Sequence, residues 1–136
     1  MGQQQLLLII LGVIVVGIAV AVGITMFSDS AINANRDALS NDLVNLASRA
    51  QQFYRRPTSL GGGGNSFTLL TNTAITLLTN KPSNANGVYS IAVGGSGSGS
   101  AATLEIQGIG NEIYNGSPVE VHVVVWPDRD SMFVKN

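Results

Sequence analysis

The sequence predicts an α+β fold, in which a long N-terminal α-helix, apolar at first and amphipathic later, packs against a small antiparallel β-sheet of about four strands. Three observations predict it. Residues Leu6 to Phe27 form one unbroken apolar run, LLLIILGVIVVGIAVAVGITMF. The residues that follow continue, without proline, as a one-sided apolar pattern. The last third of the chain holds alternating apolar and polar segments separated by turn residues. The chain therefore divides into an apolar helix over 1–27, its amphipathic continuation over 28–56 and a β-rich globular head over 57–136.

The apolar run has 22 residues, with Thr25 its only polar side chain. At a rise of about 1.5 Å per residue it reaches about 33 Å, enough to cross the hydrocarbon core of a bilayer. Hydropathy alone is satisfied by a plain single-pass anchor. A removed signal peptide is not expected, because Met1 to Gln5 carries no Lys or Arg and the apolar core is long. Gln3, Gln4 and Gln5 precede the run, where their amides could sit at an interface or hydrogen-bond the terminus of a neighbouring chain.

Gly12, Gly17 and Gly23 interrupt the bulky residues, and Gly17/Ala21 and Ala19/Gly23 are small-xxx-small pairs that let helix backbones approach closely. Ordinary membrane-helix composition accounts for these glycines equally well. Each glycine costs a helix about 1 kcal/mol relative to alanine, so any local unwinding of the stalk is expected between Gly12 and Gly23.

From Ser28 the pattern becomes one-sided. Ile32, Leu39, Leu43, Leu46, Ala50 and Phe53 recur at spacings of seven, four, three, four and three, a helical stripe expected to pack on the sheet. Asn33, Arg36, Asp37, Asn41, Asp42, Asn45, Arg49 and Gln52 form the polar face between them. No breaker separates this segment from the apolar run. A single helix is expected from about Gln3 to Arg55, ending before Pro57.

Composition removes several function classes. Charged residues are 11% of the chain and the net charge is -1, which leaves no general electrostatic footprint for nucleic acid or anionic lipid. Cysteine is absent, so disulfides, thiolate metal sites and cysteine nucleophiles are excluded.

In the head, Leu60-Gly-Gly-Gly-Gly-Asn65 is a flexible or tightly turned loop. It is not a phosphate-binding loop, because no Lys-Ser/Thr follows it and no strand precedes it. Phe67 to Asn80, rich in Thr and Leu, reads as a strand, a short helix or a mixture of both. Tyr89 to Val93 and Thr103 to Gln107 alternate as strands around a Gly/Ser loop over 94–100. Val119 to Val125 alternates almost perfectly, and Pro127 to Asp130 supplies a turn before a last strand, Met132 to Lys135. Short connections between four consecutive strands predict an antiparallel meander, whose apolar face needs the helical stripe as its cover.

No catalytic constellation is evident, and no enzymatic activity or cofactor is expected. His122, the sole histidine, alternates onto the outer face of its strand and reads as a surface residue; with Glu120 it supplies at most two metal ligands. Asp128 and Asp130 flank Arg129 in a solvated turn.

A short polar N-terminus, an apolar segment starting a few residues in, its continuation into an amphipathic helix and an antiparallel sheet on that helix's second half together resemble a type IV pilin. The resemblance covers the whole chain in architecture, and its specific sequence content lies in residues 1 to about 27. It implies cleavage by a prepilin peptidase after a glycine, N-methylation, residence in the inner membrane and extraction by a pilus assembly machinery into an extracellular helical homopolymer. Residues 1–27 would then be a membrane-spanning helix that becomes the filament core. Two departures from the family pattern stand out. Pilins usually carry a glutamate near the start of the apolar segment, whereas here no acidic residue precedes Asp29. If Met1 is the mature first residue, Gln5 occupies the matching place; if cleavage follows Gly2, Leu7 does. The first is favoured, since a prepilin leader should carry Lys or Arg. The proline that often kinks the stalk is also absent, leaving Gly17 and Gly23 to supply any unwinding.

The expected function is that of a structural subunit of a type IV pilus-like filament. A pseudopilin of a type II secretion system and a monomeric membrane-tethered binding domain are the alternatives. Phe53, Tyr54, Arg55 and Arg56 combine aromatics with cations and form a possible surface contact for DNA. The favoured reading is that the aromatics pack under the sheet while Arg55 and Arg56 cap the helix C-terminus.

Overall fold

The computed structural model describes residues 2–96 and 102–136. Helix α1 (Gly2–Arg55) runs its 54 residues without interruption, passing straight through Gly12, Gly17 and Gly23, and is about 81 Å long at 1.5 Å per residue. Met1 and the 97–101 part of the Gly/Ser loop lie outside the described residues.

The helix ends where Pro57 disfavours helical geometry for Arg56, and its last carbonyls are taken up by the glycine loop. Gly63 N–H donates to Phe53 O at 2.8 Å, Asn65 N–H to Tyr54 O at 2.7 Å and Gly64 N–H to Arg56 O at 2.9 Å. The four-glycine segment is thus a tight turn whose backbone satisfies groups that a helix end leaves orphaned. Of the readings open for 67–80, the short helix is observed, as the 3-10 helix Ala74–Leu77 set among turns, and neither the strand nor the helix–strand mixture forms. Within 67–80 the side chains of Phe67, Leu70, Ile75 and Leu78 are buried, whereas Leu69 and Leu77 are exposed.

Four strands follow: β1 (Gly87–Ser96), β2 (Thr103–Tyr114), β3 (Ser117–Val125) and β4 (Asp130–Val134). They form one antiparallel sheet in the order β1-β2-β3-β4, the expected meander. Strand β2 extends well past Gln107, and it joins β3 through a two-residue turn. Asn115 (φ 49) and Gly116 (φ 81) both take positive φ, as a two-residue hairpin of right-handed twist requires.

One face of the sheet meets α1. Val119, Val121, Val123 and Val125 of β3 are fully buried with Leu104 and Ile106 of β2 against Leu39, Leu43, Leu46, Ala50 and Phe53, in one core that also includes Ile32. Fully burying a Leu side chain contributes about 1.5 to 3 kcal/mol, so this stripe is what fastens the sheet to the helix. The approach is close. A Cβ at Gly110 would lie 2.0 Å from Asn35 Oδ1 and 3.1 Å from Leu39 Cδ1, so a glycine here lets β2 lie directly on the helix.

Candidate functional site

The helix leads two different lives. Ile32, Leu39, Leu43, Leu46, Ala50 and Phe53 are buried under the sheet, whereas every described residue from Gly2 to Ser30 is exposed. The exposed half includes Gln3, Gln4 and Gln5 on the first turn and all of Gly12, Gly17, Ala19, Ala21 and Gly23, around which lies open space. Thr25, the polar exception, donates its hydroxyl to Val22 O at 2.8 Å, so the run presents no unsatisfied side-chain polar group.

Sixteen large apolar side chains from Leu6 to Phe27 are exposed, ending with Phe27 at 78%. At about 1.5 kcal/mol each, covering them is worth on the order of 24 kcal/mol, more than the roughly 5–15 kcal/mol that holds a typical domain folded. A surface of that size cannot remain in water. The helix is long and apolar enough to cross a membrane, which is compatible with membrane anchoring.

The head holds the lower half of the helix by a polar rivet as well as by its core. Asp42 Oδ2 accepts from Asn84 Nδ2 at 2.9 Å, Asn86 Nδ2 at 2.9 Å and the Tyr89 hydroxyl at 2.5 Å. Burial pushes the Asp42 carboxyl up, but the three hydrogen bonds outweigh it and hold the group below its ordinary value. Burial, reinforced by the Asp42 carboxylate, raises the Tyr89 phenol well above its ordinary range. Nearby, Arg49 Nη1 donates to Leu78 O at 3.1 Å, closing the other side of a polar recess of about 270 Å³. Asp42 and Arg49 are thus both engaged in tying the 78–89 segment to α1.

The reading of His122 as a surface residue is corrected. It does sit on the outer face of β3, but only 4% of it is exposed. The Phe133 ring of β4 stacks on the imidazole at 5.2 Å, and Glu105 and Glu120 close both ends, at 2.5 Å from Nδ1 and 2.7 Å from Nε2. Glu120 also takes Lys135 Nζ at 3.1 Å. Hydrogen bonding from His122, helped by Lys135, holds the Glu120 carboxyl below its ordinary value. With both ring nitrogens against carboxylates, the imidazole is a strut between β2 and β3, with no ring nitrogen turned to a ligand. Glu105 escaped the sequence reading, although the register that places His122 opposite Gln107 and Phe133 follows from the strand pairing.

Phe53 and Tyr54 are buried, and Tyr54 lies 4.8 Å from the Phe67 ring, so neither ring is presented for stacking on a base. Arg55 Nη2 donates to Pro127 O at 3.4 Å, joining the helix end to the β3–β4 turn, and Arg56 is exposed. There Arg129 lies over the Trp126 ring at 4.9 Å.

Comparison with protein-family models, with curated proteins and with solved structures gives no match to this chain. The chain's arrangement, a long helix apolar and bare in its N-terminal half that carries a small antiparallel sheet on its other half, is consistent with a pilin-like fold.

Proposed function

We propose that this chain is a building block, the structural subunit of an extracellular type IV pilus-like filament whose core is a bundle of the Leu6 to Phe27 segments. The observation that carries the reading is the bare apolar half of a helix whose other half is completely furnished with a folded head. Lipid covers the apolar half before assembly, and copies of the same segment cover it afterwards. Copies related by a rotation and a translation that do not close make an open helical polymer. The small-xxx-small pairs Gly17/Ala21 and Ala19/Gly23 allow close helix approach within such a bundle. The low charge of the chain favours lateral contact between heads. The inner membrane, a prepilin peptidase and a pilus assembly machinery are the further partners of this reading.

The test is removal of detergent from the purified full-length chain, followed by electron microscopy and mass spectrometry of the first peptide. Long, regular fibres with heads outside support the proposal. Short, finite assemblies point to the pseudopilin alternative, and single chains retained in lipid at every concentration contradict both.

A further inference from the structure

We propose that, while the subunit is held in a membrane, the tip of the β2–β3 hairpin rests in the lipid headgroup layer as a foot for the head. The proposal rests on the membrane stage of the function proposed above. Strand β2 runs back along α1 toward the apolar run: Gly108 lies at Leu39, Gly110 at Asn35, and the Tyr114 ring lies 4.9 Å from the Arg36 guanidinium. Tyr114 also lines a recess with Asp29, Ile32, Asn33 and Arg36. Asp29 and Arg36 are about 3 Å and about 14 Å beyond Phe27 along the helix axis. A bilayer's interfacial layer is about 5–8 Å deep on each side, so a Leu6 to Phe27 span puts Asp29 within that layer and Arg36 outside it, and the Tyr114 end of the hairpin, which lines a recess with both, at its outer boundary.

The tip has the chemistry of that layer. Every residue from Asn111 to Pro118 is exposed, and Ile113, at the outer end, is 63% exposed with no core role. Tyr114 beside Arg36 pairs an amphipathic ring with a cation, the combination that anchors membrane proteins at the water boundary. Asn136 Nδ2 donates to Tyr114 O, Ser117 O and Pro118 O at 3.1–3.2 Å, which stiffens the hairpin base and fixes the direction of the tip. The occupant is a lipid surface, met by the exposed Ile113 and the Tyr114–Arg36 pair on an otherwise polar tip that also carries Glu112, so neutral lipid is favoured over anionic lipid.

The chain has no cysteine, so an introduced one is unique. Full-length Ile113→Cys, Ser59→Cys and Val15→Cys variants, each carrying an environment-sensitive fluorophore, are reconstituted in phosphatidylcholine vesicles containing nitroxide lipids labelled at the headgroup or mid-chain. The expected result is a blue shift and strong headgroup-nitroxide quenching at position 113, mid-chain quenching at 15, and neither at 59. Position 113 behaving like 59 while 15 is quenched overturns the foot and leaves the membrane stage standing. Absence of lipid quenching at 15 overturns the membrane stage and the foot with it. Shielding at 113 that appears only in sedimented polymer overturns the lipid contact in favour of a contact between copies.

Discussion

The Tyr89 hydroxyl donates to Asp42 Oδ2 at 2.5 Å, joining residues 47 apart in the sequence and fixing β1 to the one helix that carries both the head and the stalk. Asn84 and Asn86 donate to the same oxygen, so a single carboxylate atom gathers the loop before β1 and β1 itself onto α1. Hydrogen bonds to charged groups contribute about 1.5–3 kcal/mol each, and the three are not additive because they share one acceptor. Asp42→Ala is expected to destabilise the head by about 2–3 kcal/mol and Tyr89→Phe by about 1 kcal/mol, read as midpoints of denaturant unfolding of the full chain in a neutral detergent.

The same contacts set a pH dependence. The Asp42 and Glu120 carboxyls are both held below their ordinary values of 3.8 and 4.5 in the folded chain. A depressed folded value contributes stability that is complete above the unfolded value and is lost as the pH falls through the folded one. Unfolding temperature should therefore be level above about pH 5 and decline below about 4.5 as these carboxylates take up protons. Tyr89 acts at the other extreme. Its raised value contributes stability that is complete below about pH 10, where the unfolded phenol is neutral, and is lost as the pH rises further. Asp42→Asn should reduce the acid decline, and Tyr89→Phe the alkaline one, in scans of melting temperature against pH.

His122 holds two carboxylates apart and together. His122→Ala leaves Glu105 and Glu120, both largely covered, facing each other without a bridging donor. The expected loss is about 1–2 kcal/mol, discounted for the exposure the carboxylates retain. His122→Gln, which keeps a donor, should lose less, and adding Glu105→Gln to His122→Ala should recover part of the loss. Equilibrium unfolding of the three variants measures this.

The β2–β3 turn has a strict conformational demand. Asn115 and Gly116 both take positive φ, a region that costs a β-branched residue about 1–2 kcal/mol. Gly116→Val is expected to destabilise the hairpin by that amount, visible as faster amide hydrogen exchange from Ile113 to Val119.

Much of this fold is legible in the sequence because its signals are local. The stripe from Ile32 to Phe53 and the four valines of β3 carry their periodicity in consecutive residues, and their burial follows. The continuous helix followed from the lack of any breaker before Pro57. Where local signals were mixed, they decided less. Phe67 to Asn80 has neither period, and its path is set by where Phe67, Leu70, Ile75 and Leu78 find the core. Asn115-Gly116 is itself a local signal, the Asn-Gly pair of a two-residue hairpin. The Asp42 rivet and the burial of His122 are long-range: Asp42 looked like one member of a solvated face, and His122 is covered by a ring eleven residues later on a neighbouring strand. The stalk is the opposite case. Its exposure is fully visible in the sequence, but what covers it lies outside a single chain.

That covering is tested most directly by the distance between stalks. A spin label on the Val15→Cys variant, introduced into this cysteine-free chain, is followed as the full-length protein is transferred from detergent into detergent-free buffer. Bundled helices pack with axes about 8–10 Å apart, so the account predicts strong dipolar broadening between neighbouring labels in the sedimented material, removed by dilution with unlabelled chain. Labels that stay magnetically isolated, in chains soluble only when lipid or detergent surrounds each stalk, would contradict it.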